Sequence, residues 1–290
     1  MENILVTGAS GQLGLCIKDV VKHSKYQNIR FEFLSSKDLD VTNKDHVIAA
    51  FKKGKFTHCI NCAAYTQVDK AESDALAAEN VNVIGAQNLA KACQLFKVTL
   101  LHISTDFVFD GNTDVPYVET DTCNPLGVYG ETKLKGELEI TERLKEHFII
   151  RTSWLYSEHA NNFMKTMLRL GNERSSLSVV ADQIGKPTYA RDLAGFVLNI
   201  IEQKNAAYGI YHFSNDGETS WYGFASEIFL LSNTNVELAA ISTEAYPTPA
   251  KRPKYSVLNT NKAKETFGLK IENWKESLAR ALANLKSLNC

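Results

Sequence analysis

The chain has 290 residues, 44% of them hydrophobic and 22% charged, with 32 Lys+Arg against 33 Asp+Glu. The net charge of -1 excludes recruitment to nucleic acid or an anionic membrane by global charge, and 6 Pro with 16 Gly exclude a collagen-like or low-complexity chain. No run approaches 18 uninterrupted apolar residues, so no transmembrane helix is expected. Met1 to Ser10 lacks the basic and apolar regions of a signal peptide, and a cytoplasmic protein is the expectation.

Strand-like runs fall at Asn3–Thr7, Arg30–Leu34, His58–Asn61, Thr99–Ser104 and Phe148–Thr152. Helical periodicity fills the intervals at Gln12–His23, Lys44–Lys52, Asp74–Gln94 and Gly130–Lys145. Such alternation implies right-handed crossovers and a parallel sheet covered on both faces. Beyond Trp154 the rhythm loosens. Helices are expected at Asn162–Leu170, Arg191–Gln203, Trp221–Leu231 and Trp274–Leu285, and strands near Leu177–Val180 and Gly209–Phe213. Tyr246-Pro-Thr-Pro-Ala-Lys-Arg-Pro253 holds three of the six prolines and reads as a stiff irregular loop.

The cysteines are Cys16, Cys59, Cys62, Cys93, Cys123 and Cys290, too few for a disulfide scaffold. Cys59 and Cys62 have C-x-x-C spacing, but in a strand residues three apart face opposite ways, so core packing is expected. The seven histidines show no clustered ligand spacing, and no metal site is read from them.

In Ile4-Leu-Val-Thr-Gly-Ala-Ser-Gly-Gln-Leu-Gly14, Gly8, Gly11 and Gly14 recur every three residues between a strand and a helix. Glycine admits close backbone approach to a pyrophosphate, and the helix N-terminus offers that anion free N–H groups. The first crossover therefore reads as a dinucleotide site on a Rossmann-like, doubly wound α/β sheet. The second strand ends at Phe33-Leu-Ser-Ser-Lys37 without an acid for a ribose hydroxyl, which favours NADPH, with NADH also usable. Asp40-Val-Thr42 reads equally as an adenine contact or as the cap of the next helix.

Tyr129-Gly-Glu-Thr-Lys133 is a Y-x-x-x-K pair at the start of the helix after the fourth strand, with both side chains on one helical face. A nearby ammonium makes a phenol a workable acid or base, so Lys133 is expected to activate Tyr129 and hold the nicotinamide ribose. Thr105 leaves the C-terminal end of the fourth strand and can hydrogen-bond a substrate oxygen beside Tyr129.

Several stretches carry a family likeness: Asn61-Cys-Ala-Ala-Tyr-Thr-Gln-Val-Asp-Lys-Ala-Glu72, Ser104–Gly111, Tyr129–Glu137, Arg151-Thr-Ser-Trp154, Asp182-Gln-Ile-Gly-Lys-Pro-Thr188 and Arg252-Pro253. Through these and the glycine turn the chain resembles dTDP-4-dehydrorhamnose reductases over nearly its whole length. The resemblance implies reduction of the C4 ketone of dTDP-4-dehydro-β-L-rhamnose to dTDP-L-rhamnose, with Tyr129 as proton donor and Lys133 as its activator. It also implies cofactor contacts at Gly11, Gln12, Leu13, Asp40, Val41, Ala64, Tyr65 and Thr66, and sugar contacts at Thr105, Asp106 and Trp154. Lys251 and Arg252 read either as diphosphate ligands or as a surface charge pair on the Pro-rich loop. Some relatives hold Mg2+ at a dimer interface through an acid just after the glycine turn. Here Leu15 and Cys16 stand there, which does not support the metal.

The expected organisation is a dinucleotide-binding domain over 1–153 and a smaller, mainly substrate-binding lobe over 154–290, with some segments returning to the first. A nucleotide-sugar substrate and a monomer or homodimer are expected. Two other readings stay open on this fold. One is a sugar-nucleotide dehydratase or epimerase, although Phe107 stands where dehydratases have a glutamate. The other is a nucleotide-sensing regulatory subunit without turnover.

Overall fold

The structure is a computed structural model that describes residues 2–22, 26 and 28–288. The first half runs β1 (Glu2–Thr7), α1 (Gln12–Val20), β2 (Ile29–Leu34), α2 (Lys44–Gly54), β3 (His58–Asn61), α3 (Val68–Ala71), α4 (Ala75–Glu79), a π-helical turn (Asn80–Ile84), α5 (Gly85–Phe96), β4 (Thr99–Thr105), α6 (Val128–Arg143) and β5 (His147–Thr152). The second half adds β6 (Leu155–Tyr156), α7 (Phe163–Glu173), β7 (Ser176–Val180), β8 (Ile184–Gly185), β9 (Thr188–Tyr189), α8 (Ala190–Gln203), β10 (Gly209–His212), β11 (Thr219–Ser220), α9 (Trp221–Ser232), β12 (Glu237–Ile241), α10 (Asn261–Phe267) and α11 (Trp274–Leu288). His23, the expected end of the first helix, and Cys290 lie outside the described residues.

The main sheet has the order β10-β5-β4-β3-β1-β2, parallel throughout. The chain leaves β1 toward β2 on one side and returns to β3 on the other. The crevice between the carboxyl ends of β1 and β3 is therefore the topological switch point, where open α/β sheets bind ligands.

Period-two alternation distributes the core. Ile4, Val6, Ile60, Leu101 and Ile150 point to the face covered by α1, α8 and α10. Leu5, Cys59, Leu100 and Ile149 point to the other, under α2, α5 and α6. Cys59 thus packs on one face and Cys62 on the other, as strand geometry requires, and both are free thiols. Truncating a fully buried member such as Ile60 to Ala would cost about 2–5 kcal/mol. A third cluster, with Tyr156, Met164, Phe224 and Trp274, joins α7, α9 and α11 to β7 and β9. The second half of the chain thus contributes β10, α8 and α10 to the main sheet's layers as well as building this separate core.

The helix expected over Asp74–Gln94 is a single helical run interrupted by the π turn at Asn80–Ile84. Such turns recur at functional positions, and this one presents the buried Asn82. Residues 246–253 form no regular element, as the prolines dictate.

Candidate active site

Each glycine of the first turn has a separate physical reason. Gly8 has φ +63°, and a Cβ there would lie 2.6 Å from the backbone of Cys62 and Ala63. Only glycine permits this turn against the end of β3. A Cβ on Gly14 would lie 2.7 Å from Ala9 Cα, so Gly14 lets α1 pack closely on the turn. A Cβ on Gly11 would meet only Gly8 O at 3.3 Å, and Gly11 caps α1 without a side-chain hydrogen bond. That leaves bare backbone facing outward and the first N–H groups of α1 free for an anion. The cradle fits a pyrophosphate.

The neighbouring expected residues are placed unevenly. Gln12 is committed through its side chain, accepting from Ser157 and Asn162 at 3.0 Å each, and Leu13 is buried in the core. Only their backbones remain for a cofactor. Asp40 is not the helix cap: its carboxylate accepts from Thr42 N and Oγ1, while Asn43 caps α2 through His46 N. Val41 is buried, and its carbonyl accepts from Asn88. At the end of β2, Ser36 and Lys37 are exposed. Asp38 folds back to accept from Ser35 N at 3.0 Å and Ser35 Oγ at 2.5 Å. A carboxylate therefore stands near the strand end after all, four residues beyond Leu34.

Beyond β3, Ala64, Tyr65 and Thr66 line the same edge. Asn82 clamps Tyr65 through both its backbone N–H and carbonyl, at 2.9 and 3.2 Å, and also donates to Thr132 of α6 at 3.1 Å. Asn82 thereby couples this loop to the helix that carries Tyr129.

Thr105 ends β4 and caps the short 3-10 turn Asp106–Val108, accepting from Phe107 N at 3.2 Å and donating to Asp106 Oδ1 at 3.1 Å. Asp106 is 2% exposed, and its Oδ2 has no partner. Burial pushes its carboxyl up to about 6, against the hydroxyls of Ser256 and Thr105. Tyr129 is pushed up to about 12 by burial, with the Thr105 hydroxyl pulling down and Asp106 pushing up. It is a phenol at neutral pH, the form that gives a proton. Phe107 sets its ring edge-on to Tyr129, with centroids 5.6 Å apart.

Lys133 is 2% exposed, and burial lowers it to about 8. Its Nζ donates to Ile103 O at 2.7 Å and meets His102 Nε2 at 3.2 Å. In this state the amine is engaged by the backbone and a histidine, not by Tyr129. The helix itself is fixed from below: Glu137 accepts from Arg151 Nε at 3.0 Å, from Arg151 Nη2 at 2.7 Å and from Ser104 at 2.5 Å, all buried.

Trp154 has φ +45°, a left-handed backbone that costs about 1–2 kcal/mol for an L side chain. Its ring stacks on Trp221 with centroids 3.6 Å apart, and Gly185 leaves room for it. Arg252 is bound in a fork to Asp69, with Nη1 to Oδ1 at 3.1 Å and Nη2 to Oδ2 at 2.8 Å, while Lys251 is exposed. The structure therefore gathers Gly8–Gly14, Ala64–Thr66, Thr105, Tyr129 and Lys133 along the carboxyl edge of β1, β3 and β4. It holds Arg252 in an ion pair.

Asn61, Glu72, Asn82, His102 and Glu137 were not singled out as acting residues from sequence. A polar residue inside an otherwise apolar strand or helix, as at Asn61, His102 and Asn82, was the available signal. Among the described residues one trio, Asp19, Glu158 and His159, brings metal-ligand atoms within 4.8 Å of one another. It is satisfied by protein partners: His159 meets Asp19 at 2.6 Å, and Glu158 meets Tyr189 at 3.0 Å and Arg191 at 3.5 Å.

The chain matches the RmlD substrate binding domain family over residues 1–287. It is 42% identical to the dTDP-4-dehydrorhamnose reductase of Aggregatibacter actinomycetemcomitans over 299 aligned positions, 99% of each chain. Among solved structures, the Clostridium acetobutylicum dTDP-4-dehydrorhamnose reductase aligns with TM-score 0.94 and 43% identity, over 98% of this chain and 99% of that one. The Bacillus anthracis dTDP-4-dehydrorhamnose reductase in complex with NADP aligns with TM-score 0.93 and 40% identity over the same shares. Fold, glycine cradle and full-length likeness agree, and the chain belongs to the dTDP-4-dehydrorhamnose reductase family.

Proposed function

We propose that this protein reduces the C4 ketone of dTDP-4-dehydro-β-L-rhamnose with NADPH, giving dTDP-L-rhamnose. The observation that carries the reading is the shared edge: a pyrophosphate cradle after β1, and a buried Thr105 beside a half-buried Tyr129 at β4, one strand beyond the switch point.

Gly8–Gly14 and the free N–H groups of α1 would hold the pyrophosphate, Ala64–Thr66 the adjoining face, and Lys133 the nicotinamide ribose. The reduced nicotinamide supplies a hydride when bound. Thr105 orients the ketone oxygen once its hydroxyl turns from Asp106. Tyr129, held as a phenol by burial, delivers the proton as negative charge develops on that oxygen. Positioning of the two reactants is the other contribution asked of the site. Phe107 packs on Tyr129 where a dehydratase would need an acid, which favours reduction over elimination.

The third cluster and the Pro-rich loop form the substrate side in this proposal, with Trp154 and Asp106 at the sugar. Free thiols at Cys16, Cys59, Cys62, Cys93 and Cys123 suit the reducing cytoplasm, and no described helix is long and apolar enough to cross a membrane.

The test is Tyr129→Phe. It should keep NADPH affinity and lower turnover of dTDP-4-keto-6-deoxysugars by about 10²–10⁴-fold, read from NADPH absorbance with products identified by NMR. Wild-type turnover in that variant overturns the assignment. Assaying UDP-linked and epimeric ketones alongside fixes the base and sugar.

A further inference from the structure

A closed chain of hydrogen bonds runs behind Lys133, and its direction is set at one end. Ala63 N donates to Asn61 Oδ1 at 3.1 Å, and Thr7 Oγ1 donates to the same oxygen at 2.7 Å. A backbone N–H is an obligatory donor, so the Asn61 amide cannot be turned round. Its Nδ2 then faces His102 Nδ1 at 2.9 Å and must donate to it. His102 Nδ1 is therefore the lone-pair nitrogen, and the ring proton of the neutral imidazole lies on Nε2. Nε2 faces Lys133 Nζ at 3.2 Å. An ammonium has three donors and no acceptor, so it would oppose that N–H. A neutral amine accepts it and still donates to Ile103 O at 2.7 Å.

All members are buried: Thr7, Asn61, His102 and Lys133 are each 3% exposed or less. A reversed bond here would not be repaired by water. The chain has no exit to solvent on this side, since it ends at Thr7 and at a backbone amide. It is not a route for protons.

We infer that His102, its tautomer fixed by Asn61, is a positioning residue that shifts the charge balance of Lys133 toward the neutral amine, relative to a free lysine, in the cofactor-free site. The inference rests on the proposed function only for the meaning of Lys133. An amine drawn toward its neutral form stabilises a Tyr129 phenolate less than a free ammonium would, so the phenol keeps its proton, which suits a site run as a reductase. The titratable groups around the amine do not cancel the effect. Glu137 on its own helix favours the ammonium, Cys62 beyond β3 is a neutral thiol whose ionisation burial disfavours, and burial opposes the ammonium more strongly than Glu137 favours it. On the other side, burial holds His102 well below the usual imidazole range, with Lys133 and His147 pushing the same way.

The experiment uses ligand-free protein, so its failure is separate from failure of the Tyr129→Phe assay. Nitrogen NMR of the histidines reads the His102 tautomer, assigned by its loss in His102→Phe. Carbon-labelled lysine NMR reads the Lys133 titration, assigned by its loss in Lys133→Met. The wild type should show Nε2–H at His102 and a lysine titrating near 8 instead of about 10.4. Asn61→Asp replaces the amide donor by an acceptor, so it should move the ring proton to Nδ1 and raise the lysine by about one pH unit or more. Asn61→Ala is the uncharged control and should raise it in the same direction. An Nδ1–H tautomer in the wild type, or a lysine titrating at the ordinary value, overturns the inference without any variant. A Lys133 titration unchanged in Asn61→Ala also overturns it.

Discussion

Glu72 accepts a 2.9 Å hydrogen bond from the backbone N–H of Val128 and so caps the helix that carries Tyr129 and Lys133. The cap position itself is Gly127, which has no side chain to offer. A Cβ there would lie 2.5 Å from the Glu72 carboxylate, so the glycine makes room for a cap supplied from 56 residues away. An anion at this end also complements the helix dipole. Glu72→Ala should cost about 0.5–2 kcal/mol, read as a lower urea midpoint. Because the lost bond lies one residue from Tyr129, kcat should fall while NADPH affinity stays near wild type. A change in NADPH affinity alone would mean that the cap does not position Tyr129.

The glycine turn separates folding from binding. Gly8→Ala places a Cβ 2.6 Å from backbone in a left-handed conformation, so it should cost more than about 1 kcal/mol and lower the urea midpoint. Gly11→Ala meets nothing closer than 3.3 Å, at φ -79°, and should leave stability within about 0.5 kcal/mol. Its methyl group would instead stand on the face left for the pyrophosphate. NADPH binding by fluorescence titration should weaken in Gly11→Ala by about tenfold or more, equivalent to about 1.4 kcal/mol. Equal affinity in Gly11→Ala and wild type would remove the cradle from that face.

Asp69 and Arg252 join segments 183 residues apart, and Ala250 N adds a 3.3 Å bond to the same carboxylate. The Arg252 guanidinium is the main reason that the Asp69 carboxyl lies below its ordinary range. The pair is partly exposed, so its loss should change stability by less than about 1 kcal/mol. Its effect should instead be on the placement of the Pro-rich loop. Arg252→Ala removes both the clasp and a candidate diphosphate ligand, whereas Asp69→Asn loosens the clasp and leaves the guanidinium. If Arg252 binds substrate, KM for the nucleotide sugar should rise about tenfold in Arg252→Ala and far less in Asp69→Asn. Equal rises in the two variants would assign Arg252 to the clasp alone.

Much of the carboxyl edge was legible in the sequence because it depends on local pattern. Strand, glycine turn and helix follow one another within Ile4–Gly14, and Tyr129 and Lys133 are one helical turn apart. The parts that were not legible depend on distant partners. Glu72 looks like any exposed acid until Val128 is beside it, and His102 looks like a strand residue until Lys133 and Asn61 meet it. Arg252 shows the converse: a free cation in sequence, it is already paired in the fold. The strands β6, β8, β9 and β11 have two residues each, too short for any period to register. The π turn arises within a run whose apolar spacing reads as ordinary helix.

Asp106 gives a pH dependence whose sign can be worked out. Its carboxyl lies near 6 in the folded protein and near 3.8 when unfolded, because burial disfavours the charge and Oδ2 has no partner. Between those values the folded state binds more protons than the unfolded chain. Stability from this group therefore rises as pH falls from about 6 to about 4 and is lost as pH rises through 6. A shift of about two pH units corresponds to about 3 kcal/mol at full burial. Buried His212, lowered to about 3, acts oppositely across the same window, since it must charge on unfolding. The total curve mixes both groups, so the useful quantity is a difference. Subtracting the Asp106→Asn curve from wild type, by urea unfolding at closely spaced pH, should isolate a component that favours wild type below pH 6 and flattens above it. A difference independent of pH between 4 and 7 would place the Asp106 carboxyl at its ordinary value.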